Sequence, residues 1–232
     1  MIRTIKAIGL SLIALAALGA LSATAASAAP EFTSQETPSG AHVHTIIEGD
    51  QEEGNIHKFT AGGGFGAISC KKAHFTGTSA TGTDTTLDAT PEYGTCSDSF
   101  GRTVDVVTTG CKYRFHATTR TSVDNYTGHV SIICEAGKQI EAKVTSGGSV
   151  ICTVAIGSQE KVGPIDFIDK TTLPTDVTVD ATATNVKNTT SGGSLNCGIA
   201  NGEHTEGTYT GSTTVIGRNT AGTQIDIDVV GV

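Results

Sequence analysis

The chain has 232 residues, of which 37% are hydrophobic and none is tryptophan, and its formal net charge is −8. That acidity, with no cluster of Lys and Arg to offset it, excludes nucleic acids and anionic membrane surfaces as partners drawn in by long-range attraction. Six cysteines point to an oxidising compartment.

Residues 1–28 read as a secretory signal peptide. Arg3 and Lys6 precede an apolar run from Ile8 to Leu21, and Ala26-Ser27-Ala28 supplies the small residues a signal peptidase requires. The run is shorter than the ~20 apolar residues that span a bilayer. No membrane insertion is therefore expected after cleavage, and the expected location is secreted, extracellular. Residues 29–40 carry Pro30, Pro38 and Gly40 without a periodic apolar face and read as a flexible N-terminal arm; 41–232 read as a single β domain.

Residues 41–47 form the first strand candidate. His42 and His44 would share one face of it, a spacing some metal sites use, but no third ligand can be named, and outward polar residues repeat at the same interval. The acidic stretch 48–55 follows, with Glu48, Asp50, Glu52 and Glu53 as candidate binding-loop residues. It lacks the residue order of a helix-loop-helix calcium motif. The glycines from Gly62 lack the G-K-[ST] ending of a phosphate loop and read as a turn. Residues 72–78 and 85–91 are further short strands, the second ending at Pro91.

The stretch from Cys96 to Cys152 is the most regular. Cys111, Tyr113, Phe115 and Ala117 fall on one face of a strand and Lys112, Arg114 and His116 on the other, the alternation of a strand with one buried side. Residues 120–128 read as a polar loop, with Arg120, Asp124 and Tyr126 as candidate binding residues. Short joins at 135–138 and 146–149 favour antiparallel neighbours and hence a meander. Beyond it, 165–168 and 176–183 are strands and 185–193 a polar loop. Residues 207–216 and 224–230 make a terminal hairpin, on which Asp226 and Asp228 share an outward face.

Cys70, Cys96, Cys111, Cys134, Cys152 and Cys197 allow 15 pairings. Chain-order pairing, Cys70–Cys96, Cys111–Cys134 and Cys152–Cys197, closes the shortest loops and is preferred. Zinc is disfavoured because no C-x-x-C or C-x-x-H pair occurs. A nucleophile elbow, G-x-S-x-G, is also missing. No catalytic residue, cofactor or metal ligand is assigned. Sugar-binding modules stack rings on exposed aromatics; here Tyr113 belongs to the core face, leaving Tyr93, Tyr126 and Tyr209 for surface contacts.

With Pro91-Glu92-Tyr93-Gly94-Thr95-Cys96, Gly110-Cys111-Lys112-Tyr113-Arg114-Phe115, Ile133-Cys134 and Cys197-Gly198, residues 40–232 resemble a group of small exported proteins of high-GC Gram-positive bacteria with no established activity. The resemblance implies secretion and a disulfide-bonded β fold, and transfers no catalytic residue. The expected fold is an all-β, disulfide-reinforced antiparallel β-sandwich, with a closed β-barrel as the alternative and almost no helix outside the leader. The expected function is non-enzymatic: structural, adhesive or binding, toward an extracellular or cell-envelope partner. A secreted hydrolase with a dispersed site and a protease-inhibitor-like module presenting residues 120–128 are the alternatives.

Overall fold

The computed structural model describes residues 29–62, 66–198 and 200–231. The proposed signal peptide, 1–28, lies outside the described residues. Strand accounts for 69% of the described residues and helix for 2%, so inward and outward side chains alternate nearly everywhere. The fold is the expected all-β, antiparallel, disulfide-reinforced sandwich. No helix among the described residues is long and apolar enough to cross a membrane.

In chain order the strands are β1 (Glu31–Gln35), β2 (Thr45–Gln51), β3 (His57–Thr60), β4 (Ala67–Ser79), β5 (Thr83–Asp84), β6 (Leu87–Asp98), β7 (Thr103–Val107) and β8 (Cys111–Ser122). They continue as β9 (Asn125–Cys134), β10 (Ile140–Ser146), β11 (Ser149–Ile156), β12 (Gln159–Asp169), β13 (Val177–Ser191), β14 (Gly202–Arg218) and β15 (Gln224–Val230). One helical turn, α1 (Ser194–Cys197), separates β13 from β14.

The walls of the sandwich are joined at their sides. β2, β4, β6, β8, β9, β12, β13 and β14 pair in that order, and β14 pairs back onto β2. A second circuit runs β3, β4, β6, β7, β10, β11, β13, β14 and back to β3. The long strands β4, β6, β13 and β14 belong to both. Along each circuit every strand has a paired neighbour on both sides, by as few as two or three residues at β6–β7, β6–β8 and β11–β13, so no strand of either circuit is wholly a free edge of the kind that invites aggregation.

This branching corrects the expected meander. β8–β9 and β10–β11 are hairpins, but β9 pairs with β12 while β10 lies between β7 and β11. The join after Cys134 therefore steps from one circuit to the other. Three further segments differ from expectation. β6 runs through Pro91, β13 continues through the stretch read as a polar loop to Ser191, and residues 120–128 are mostly the paired ends of β8 and β9. Threonine's β-branched side chain suits such extended pairing despite its polarity.

The bridges are Cys70–Cys96, Cys111–Cys134 and Cys152–Cys197. Cys70 stands opposite Cys96, and Cys111 opposite Cys134, in the ladders β4–β6 and β8–β9. Each bridge contributes ~3–4 kcal/mol by restricting the unfolded chain. Around Cys152–Cys197 the interior is solid: Ala61, Val144, Cys152, Val154 and Cys197 are essentially inaccessible.

The opposite end is covered by a ribbon. β1, within the stretch read as a flexible arm, pairs over its whole length with β15, and β15 joins β14 only at Gly217 and Arg218. Phe32 of the ribbon meets Phe167 edge-on with ring centroids 5.4 Å apart. Polar tethers fix it: Asp169 Oδ1 accepts from the Val229 N–H at 2.9 Å, Tyr126 Oη from the Gly231 N–H at 2.9 Å, and Asp226 Oδ1 from the Thr175 N–H at 2.9 Å.

Burial pushes the Asp169 carboxyl up to about 7, against the Val229 N–H bond that lowers it and with Asp228 and Asp124 raising it further. In the unfolded chain this group titrates near ~3.9. Its folded pKa is raised, so its contribution to stability is full below about pH 4 and is lost as the pH climbs through 7. Asp169→Asn should therefore flatten the fall in thermal midpoint between pH 5 and pH 8. Equal slopes for the variant and the parent would contradict this assignment.

Candidate functional site

The expected site residues do not converge. Glu48 pairs with Arg218 (2.6 Å) and Asp50 with His74 (2.7 Å) on the outer surface. Glu52 accepts from the hydroxyls of Ser212, Thr214 and Thr178 at 2.9, 3.1 and 3.1 Å. Burial raises its carboxyl, and those three hydroxyls outweigh burial and hold it below the usual range. Glu52 is thus a clamp between β13 and β14, while Glu53 is exposed. Arg120 lies over the Tyr126 ring, and Asp124 takes a positive φ in the β8–β9 turn.

Tyr126 is 4% exposed and serves as a tether, which removes it as a surface contact. Asp226 is buried and Asp228 half-buried, because the ribbon packs on both faces; the outward face expected for them is not there. His42 and His44 are exposed and precede β2. On the outer face of β8, Lys112 and Arg114 both bind Asp88. The next pair, His116 and His129, stack with centroids 4.6 Å apart in an open cleft of about 640 Å³. Among the described residues, no group of three or more His, Cys, Asp or Glu side chains is placed to hold a metal.

The interior is different. Three adjoining chambers run along it from the ribbon, with volumes of about 70, 70 and 50 Å³. Phe75, Phe115 and Val179 are shared by the first two, and His57, Tyr113 and Tyr209 by the last two. A cavity needs ~10–15 Å³ to admit a single water, and each chamber exceeds that. Their walls are nearly all apolar.

One polar array interrupts those walls. His57 on β3, Tyr209 on β14, Tyr93 on β6 and Tyr113 on β8 point inward and touch in sequence. His57 Nδ1 is 2.5 Å from Tyr209 Oη, Tyr209 Oη is 3.0 Å from Tyr93 Oη, and Tyr93 Oη is 3.0 Å from Tyr113 Oη. On its other side His57 Nε2 meets the Ser212 carbonyl at 3.2 Å. Gly211 makes the approach possible: a Cβ there would lie 2.5 Å from His57 Nδ1.

Electrostatics keeps the array neutral. Burial lowers the imidazole pKa of His57, and the bond to the Ser212 carbonyl raises it by less. Burial raises the Tyr113 phenol to about 12, against the Tyr93 hydrogen bond that lowers it. The Tyr93 and Tyr209 phenols are pushed well up by burial first and by neighbouring phenols second. By area the three rings are only half-buried. Strong desolvation and residual open area agree because that area is chamber wall. Neutral phenols donate and accept hydrogen bonds but are poor bases at neutral pH.

Tyr113 was legible from strand parity. Tyr93 and Tyr209, expected as surface contacts, belong to the same interior array, and His57 carried no signal of its own: it stands 152 residues from its partner Tyr209. The chain matches no protein-family model, and no curated protein or solved structure matches it.

Tyr93 meets two hydroxyls and Tyr113 one. Tyr93→Phe should cost ~1–3 kcal/mol by orphaning groups on both sides, and Tyr113→Phe less. Urea unfolding at neutral pH measures both, and a larger loss for Tyr113→Phe would contradict the arrangement.

Proposed function

We propose that this chain is an exported, non-enzymatic binding protein that takes a small apolar molecule into its interior. The observation that carries the reading is the row of adjoining apolar chambers meeting one compact polar array. Binding sites in which apolar walls supply affinity and a few convergent polar groups supply orientation have this composition. Water gains little in such chambers because it needs several polar partners, so an apolar occupant would release it and recover ~25 cal/mol for each Å² of apolar surface covered.

Export is supported by the leader-like residues 1–28 and by three disulfides, which persist in oxidising compartments. The raised pKa values of Tyr93, Tyr113 and Tyr209 keep these phenols protonated and disfavour them as general bases. A structural or adhesive role at the envelope would leave the chambers without a task, and the two readings part in one experiment.

Three of the chain's four tyrosines line the chambers and there is no tryptophan, so tyrosine emission reports on the interior. Titration of the mature chain with methylcyclohexane should change that emission saturably, at one equivalent. At 100 times its Kd the ligand should add about 2.7 kcal/mol to stability. Ala181→Leu, which projects three more carbons into the middle chamber, should abolish the response while leaving the chain folded. No saturable response from the parent chain would count against interior binding and in favour of an envelope role.

A further inference from the structure

The hydrogen-bond polarity of the interior array can be worked out by counting protons. Two groups face His57 Nε2, the Ser212 carbonyl at 3.2 Å, which only accepts, and the Thr213 hydroxyl at 3.4 Å, which can accept as well as donate; on the shorter contact the proton is assigned to Nε2. In the neutral imidazole, Nδ1 is then an acceptor, and its contact with Tyr209 must use the Tyr209 proton. Tyr209 has only that proton to give. The contact between Tyr209 and Tyr93 therefore uses the Tyr93 proton, and the contact between Tyr93 and Tyr113 uses the Tyr113 proton. Three contacts consume three hydroxyl protons, all pointing toward His57. The array ends at the Tyr113 oxygen, which has lone pairs to fill and no proton to offer.

We infer that the interior site selects apolar molecules carrying one hydrogen-bond donor, an alcohol or an N–H, and discriminates against ketones and carboxylates of the same size. The inference rests on the interior-binding reading and sharpens it. At the Tyr113 end of the array a carbonyl ligand would find no free proton and would lie against an oxygen lone pair; the Thr213 hydroxyl, which also lines the chamber, stands at the opposite end beside His57. A carboxylate would add the cost of an uncompensated charge in an apolar chamber. A hydroxyl or N–H completes the array by donating to Tyr113. Its apolar body is left to the aromatic wall, where Phe75 stands 6.2 Å and Phe115 6.4 Å from the Tyr113 ring.

Cyclohexanol, cyclohexanone and methylcyclohexane test this because they share one shape and differ in polar group. Isothermal titration of the mature chain should give cyclohexanol an affinity about tenfold above that of cyclohexanone, the worth of one hydrogen bond. In Tyr113→Phe the ratio should fall below about threefold, with methylcyclohexane binding unchanged as the control for an intact chamber. Cyclohexanone binding as tightly as cyclohexanol, or a preference that survives Tyr113→Phe, would overturn the inference while leaving interior binding in place. Failure of all three probes, methylcyclohexane included, would overturn interior binding and this inference with it.

Discussion

The ladder between β13 and β14 is the interaction on which the rest of the structure depends. Its eleven registered pairs run from Val177–Val215 to Thr190–Gly202, and it belongs to both circuits of paired strands. The β4–β6 ladder plays the same part elsewhere in both circuits, pinned by Cys70–Cys96. The remaining strands complete the shell between these ladders, differently at each end. One end is filled by small aliphatic side chains and Cys152–Cys197; the other is left open inside and covered by the β1–β15 ribbon.

The polar array links these parts across the interior. Tyr209 extends from β14 and Tyr93 from β6, so their hydrogen bond joins strands that share no ladder. His57 is fixed from behind by the Ser212 carbonyl, and Gly211 leaves space for its ring. Buried polar groups are costly unless satisfied. The array satisfies itself everywhere except at the Tyr113 oxygen, and that end faces the chamber. Packing at one end and the chambers at the other thus divide the work between holding the shell together and keeping a space inside it.

Strand-level features were legible in the sequence because alternation is a local property. Cys111, Tyr113, Phe115 and Ala117 share a face by position alone, and short loops between half-cystines favoured chain-order bridges. Closure was not legible. The circuits depend on pairs such as Thr213 with Gln51 and Cys96 with Val104, which no local pattern announces. Segment 185–191 is rich in Asn and Thr and looks like a loop; pairing with β14 on one side and β11 on the other makes it a strand. Residues 29–40 look unstructured until β15, almost two hundred residues later, supplies a partner for β1. The candidate site was hidden for the same reason, since its four residues sit on four strands and share no motif.

The central claim is that the shell encloses apolar chambers beside the tyrosine array. Xenon occupies dry apolar cavities and avoids polar ones, so diffraction from xenon-pressurised crystals of the mature chain tests the claim directly. The account predicts xenon in the middle chamber, in contact with Phe75, Phe115 and Val179. Side chains collapsed into that volume, with xenon absent from the interior, would contradict it.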